Sequence, residues 1–135
     1  MANYLLDTNH LGAIVDGNPK ILGHLDSRRV AGNKLGICVP VLCEYEIRLQ
    51  ESKRQRRNRG LFNELLKGFR IWPMDERTTV LYGHVYHEVH AIGRVLSQVD
   101  MMIAALARQQ KLIIATTDRD FEALPDIKTE NWLAS

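Results

Sequence analysis

Lys111-Leu112-Ile113-Ile114-Ala115-Thr116-Thr117-Asp118 is the stretch that decides the fold. Leu112 to Thr116 are apolar or β-branched without a break, and turn residues bound the run. Such a strand shows no polar alternation because both of its faces are buried, as in a parallel sheet covered by helices. Asp118 follows the run at once. In an open α/β sheet this is the edge beyond which ligands bind.

Outward from this strand, apolar runs alternate with helical stripes. Tyr4-Leu5-Leu6 predicts a strand, and Asp7-Thr8-Asn9 leads into a helix over 9–15. Asp16-Gly17-Asn18-Pro19 breaks that helix, and a second follows over 20–30 with Ile21, Leu22 and Leu25 on one face. A strand over 35–39 precedes Pro40, which suits the first turn of a helix carrying Glu44, Ile47 and Arg48. The charge run 53–59 reads as a turn or a continuation, and Leu61, Phe62, Leu65, Leu66 and Phe69 restore a helical stripe. Ile71-Trp72 reads as a short strand closed by Pro73. A long helix over 76–95 is ended by Gly93, Ser97 opens an apolar helix over 101–108, and a weak last strand is expected within 127–132. The alternation predicts an α/β fold with a parallel sheet. Right-handed crossovers then bring all strand C-termini to one edge.

The 135 residues, 45% hydrophobic and 25% charged, suit one globular domain with a self-supporting core. No apolar run is long enough to span a bilayer and the start lacks signal-peptide features, so the expected location is cytoplasmic. Cys38 and Cys43 have no CxxC spacing and are expected as two buried, reduced thiols. The net charge of +2 is a cancellation. Residues 48–70 carry eight basic and two acidic groups, hence +6, which leaves −4 for the remainder.

Four acids lie where strand ends or first helical turns approach the functional edge: Asp7, Glu44, Asp100 and Asp118. Singly, each has a plainer reading; Asp7 can stop a strand, Ser97-x-x-Asp100 matches a capping box, and Asp118 can cap a helix. Together they repel one another and raise each other's pKa unless a cation compensates. An all-carboxylate set suits Mg²⁺ or Mn²⁺, and phosphodiester hydrolysis is the reaction that such ions serve. Glu44 and Glu46 lie about 200° apart on a helix, so only one can face Asp7. Asp118 and Asp120 pose the same choice.

At this point the sequence resembles the PIN-domain ribonucleases, and among them the VapC-type toxins of toxin–antitoxin pairs. Tyr4-Leu-Leu-Asp-Thr-Asn, Val41-Leu-Cys-Glu-Tyr-Glu, Leu96-Ser-Gln-Val-Asp-Met-Met-Ile-Ala-Ala-Leu-Ala and Ile114-Ala-Thr-Thr-Asp-Arg-Asp-Phe-Glu are similar to the four acid-bearing blocks of that family, in order. The resemblance covers nearly the whole chain. It implies a single PIN domain over 1–135, with a central five-stranded parallel sheet flanked by helices on both faces. It also implies Mg²⁺-dependent (or Mn²⁺-dependent) endoribonuclease activity, catalytic and metal-binding roles for Asp7, Glu44, Asp100 and Asp118, a VapB-like antitoxin partner and a homodimer. Asn9 and Thr116 would support the site through hydrogen bonds.

Arg54, Arg56, Arg57 and Arg59 are candidate RNA contacts, because cations beside an acidic site attract the phosphate backbone. The plainer reading of that run is a solvated helix surface. His84, His87 and His90 miss the HExxH spacing and drift by about 60° per step around a helix, so they read as a helical face and not a metal site. No P-loop motif or nucleophile signature occurs. The competing functions are a non-toxin RNA-processing nuclease and a catalytically silent RNA- or protein-binding module of the same fold; a silent module would be free to lose the four acids.

Overall fold

The computed structural model describes residues 2–134. Five strands form one sheet: β1 (Asn3–Leu6), β2 (Lys34–Ile37), β3 (Arg70–Ile71), β4 (Leu112–Ala115) and β5 (Thr129–Glu130). Every pairing is parallel and the order is β3-β2-β1-β4-β5. Consecutive strand residues point to opposite faces, yet Tyr4, Leu5, Leu6, Leu35, Ile37, Leu112, Ile114 and Ala115 are all buried, so both faces of the sheet are covered. The unbroken apolar strands thus mean what they usually mean.

Six α-helices make the connections: α1 (Thr8–Val15), α2 (Pro19–Val30), α3 (Val39–Glu51), α4 (Gln55–Leu66), α5 (Glu76–Ala91) and α6 (Gln98–Gln110). Their ends follow local chemistry. Asn18 caps α2 with Pro19 in its first turn, Asp75 and Thr78 form a reciprocal capping box on α5, and Ser97 accepts from the Asp100 amide to start α6. Gly93, at φ 71°, occupies the left-handed region just past α5, so that helix stops four residues before the end expected at 95. Among the described residues, no helix is long and apolar enough to cross a membrane.

The strand order reverses between β1, the central strand, and β4 beside it. That is the switch point of an open α/β sheet, where the crossovers leave in opposite directions and a crevice opens beyond the strand ends. Asp7 follows β1 and Thr116 follows β4, with the Asp7 amide donating to the Ala115 carbonyl at 3.1 Å. The run 53–59 straddles the break between α3 and α4, so it is both turn and helix. Cys38 is buried, and burial pushes its thiol up to about 11. Cys43, expected to be buried, is exposed, because α3 turns it to the solvent side.

Candidate active site

Asp7 is 7% exposed and serves two purposes at once. Its Oδ1 caps α1 by accepting the His10 amide at 2.8 Å, and its Oδ2 accepts the Thr116 hydroxyl at 2.5 Å. Thr116 Oγ1 also accepts the Asp118 amide at 2.9 Å, so one buried hydroxyl ties the end of β4 to the end of β1. Asp118 in turn accepts the Asp120 amide at 2.8 Å and caps the 3₁₀ turn Arg119–Ala123. Asp7 and Asp118 are thus helix caps, and capping leaves both of them lining the cleft. A cap uses one lone pair of a carboxylate that has about four.

Glu44 accepts the Thr8 hydroxyl at 2.6 Å, from the residue next to Asp7. Glu46, two positions on, faces the other way and forms an ion pair with Arg59. Helix geometry thereby separates the two glutamates: Glu44 belongs to the cleft and Glu46 to the α3–α4 surface. Asp100 stands in the first turn of α6, half-buried. Its carboxyl is pushed up to about 7 by burial, then by the negative charges of Asp118 and Glu44, with the Ser97 hydrogen bond a partial offset.

These groups line a cleft of about 200 Å³ that contains Asp7, Glu44, Asp100 and Asp118, with Ile103 as an apolar wall. Asp100, Asp118 and Asp120 can bring one oxygen each within 4.8 Å of one another. Asp120 is the outermost of the three, exposed and 3.8 Å from Arg94. Asp118, nearer the strand end, lines the cleft; Asp120 stands at its rim. A larger hollow of about 590 Å³ lies at the opposite strand ends among Ala2, Leu112 and Lys128, but its acid, Asp126, is committed to Arg108. The small acidic cleft has the chemistry.

Two supporting assignments come out differently from one another. Thr116 bonds Asp7 as expected. Asn9 bonds none of the four acids; its Oδ1 accepts from Arg48 at 2.5 Å and its amide donates to Thr117 at 3.4 Å, which lashes the cleft mouth. Arg48 is the basic side chain that lines the cleft, and it has no carboxylate within 4.0 Å among the described residues. None of Arg54, Arg56, Arg57 and Arg59 lines it. Arg59 is spent on Glu46 and Arg57 donates to Asn58 at 3.1 Å, whereas Arg54 and Arg56 are exposed. The signal for Arg48 was available in the sequence. It lies four residues after Glu44, on the same face of the same helix.

The cleft is lined by carboxylates, with no imidazole or thiolate among the described residues that line it, and burial together with the charges of Asp118 and Glu44 raises the Asp100 pKa. Such a set fits a hard divalent cation, which Asp7, Glu44, Asp100 and Asp118 would hold. His84, His87 and His90 are exposed, and His90 stacks on Tyr86 with ring centres 3.9 Å apart; they form no metal-ligand group among the described residues.

Known proteins share this sequence pattern and this fold over nearly the whole chain. The profile of the PIN domain matches residues 4–127. Ribonuclease VapC2 of Haemophilus influenzae is 25% identical over 135 residues, covering 98% of this chain and 100% of that protein. The tRNA(fMet)-specific endonuclease VapC of Shigella flexneri is 26% identical over 133 residues, covering 98% and 99%. The fold matches the structure of VapBC2 from Rickettsia felis, bound to a DNA fragment from their promoter, with a TM-score of 0.88 at 23% identity, covering 96% of this chain and 98% of that one.

Proposed function

The chain belongs to the PIN domain family, and from that premise we propose that it is a metal-dependent endoribonuclease, the toxin of a VapBC-type toxin–antitoxin pair, active as a single domain over residues 1–135. The observation that carries this reading is the convergence of Asp7, Glu44, Asp100 and Asp118, from four separate segments, on one cleft at the switch point of the sheet. The relatives named as ribonucleases support RNA as the substrate, and the VapBC complex supports a VapB-like antitoxin as partner. A homodimer is part of the same proposal.

The residues divide the work. Thr116 and the His10 amide fix the Asp7 carboxylate, and Thr8 fixes Glu44, so two of the acids are held before substrate arrives. Asp100 and Asp118 complete the set from the other side. A divalent cation such as Mg²⁺ or Mn²⁺, held by these acids, would supply Lewis-acid activation of water and neutralise charge on the phosphodiester. Arg48, held to the cleft mouth by Asn9, is placed to grip a backbone phosphate, and the exposed Arg54 and Arg56 extend the positive track.

The test is cleavage of single-stranded RNA by the purified protein in Mg²⁺, with EDTA and the Asp100→Asn variant as controls. Endonucleolytic products that vanish in both controls are expected, with DNA of the same sequence left intact. A folded, Mg²⁺-supplied protein that leaves a broad panel of RNAs uncut would overturn the reading. Co-purification with the product of a small neighbouring reading frame, and loss of cleavage when that product is added, tests the antitoxin.

A further inference from the structure

His10 is fully buried on α1, and neither the fold nor the proposed chemistry requires an ionisable ring there. Its Nε2 accepts the backbone amide of Trp132 at 3.0 Å, from the segment just after β5. A nitrogen that accepts a hydrogen bond carries no proton, so the hydrogen-bond network assigns the neutral ring's proton to Nδ1. Nδ1 has no hydrogen-bond partner, and the acceptor that it faces is Asp7 Oδ1 at 3.4 Å. An unpaired buried N–H is costly, and a small rotation of this ring would turn the contact into a bond.

We propose that His10 is a positioning residue for the Asp7 carboxylate, its ring oriented for that purpose by the Trp132 amide. The proposal rests on the reading of the cleft as a divalent-cation site. Asp7 already receives the His10 amide and the Thr116 hydroxyl; His10 Nδ1 lies 3.4 Å from the oxygen that caps α1 without bonding it, and the proposed role makes its N–H the third donor to that carboxylate. Several donors on one carboxylate fix its plane. The plane of the Asp7 carboxylate, which lines the cleft, is thereby fixed from the side away from the other acids. A histidine kept only for packing would need the Trp132 contact and nothing from Asp7. The segment around Trp132, far from the cleft in sequence, thus becomes part of the support of the site. Glu130 anchors that segment by accepting from Tyr4, Arg28 and the Trp132 indole.

Two measurements test this. Long-range ¹H–¹⁵N spectra of the wild-type chain should show His10 protonated at Nδ1 and bare at Nε2, with its Nδ1 resonance moving as Mg²⁺ saturates the protein. Mn²⁺ affinity, read by electron paramagnetic resonance of the free ion, should fall about 10-fold in His10→Leu and largely recover in His10→Asn, whose amide can replace the Nδ1 donor. A proton on Nε2, an Nδ1 resonance indifferent to Mg²⁺, or equal Mn²⁺ affinity in wild type and His10→Leu overturns the role of His10. If neither variant folds, the wild-type spectra decide. A wild-type chain that binds no Mn²⁺ overturns the cation-site reading and this proposal with it; Mn²⁺ binding without the His10 signature overturns this proposal alone.

Discussion

Asp100 shows most directly how the site conflicts with stability. Its carboxyl is raised to about 7 in the folded chain, against about 3.9 for an unfolded aspartate, so the folded state holds the proton more tightly. Stability of the metal-free protein therefore declines as pH rises from about 4 to about 7. Asp100→Asn removes that penalty. It should melt at a higher temperature than wild type in EDTA at pH 8, with the gap closing towards pH 4, while RNA cleavage is lost. Equal melting temperatures at pH 8 would contradict this account. At the same scale, Arg48→Gln should weaken RNA binding without unfolding the protein and should reduce the slope of log affinity against log salt by about 0.7, the value for one phosphate contact on a single strand. Neutralising the exposed pair Arg54 and Arg56 should have a smaller effect on cleavage than Arg48→Gln, because neither lines the cleft. A cleavage assay on the three proteins ranks them. Of these residues the acids were legible in the sequence, since their order and spacing follow strand ends. The contact of Asn9 with Arg48 was not, because it depends on which rotamer crosses a gap between two helices.

At the scale of elements, Gly36 in β2 shows how closely the sheet is covered. A Cβ there would come within 2.7 Å of the Trp72 ring and 2.8 Å of the Arg70 carbonyl. The Trp72 indole lies across that strand to donate to the Tyr4 carbonyl of β1 at 2.9 Å. Gly36→Ala should therefore destabilise the fold by about 1–3 kcal/mol, the usual cost of overpacking, measured by urea denaturation. The elements themselves were largely readable, because burial on both faces leaves a continuous apolar strand and one-sided burial leaves a helical stripe. Their ends were less so. The strand expected over 35–39 stops at Ile37, since Val39 joins the first turn of α3 with Pro40, and the helix expected to end at 108 runs on to Gln110, while Ser97 caps it where the sequence placed its opening. Sequence periodicity places the middle of an element, while single hydrogen bonds place its limits.

At the scale of the molecule, the near-neutral charge hides an acidic cleft beside a basic surface, and this arrangement predicts how conditions act. Adding Mn²⁺ should raise the melting temperature of the wild type at pH 8 and leave Asp100→Asn much less changed, a difference that a thermal-shift titration reads directly. The sheet has one more consequence, at its margins. Both outer strands, β3 and β5, are only two residues long. A neighbouring chain that tried to extend the sheet would find almost no free amides or carbonyls to pair with, so the margin offers no template for edge-to-edge stacking into fibres. At high concentration the protein should therefore resist β-type aggregation even though its central strands are among the most apolar segments it has.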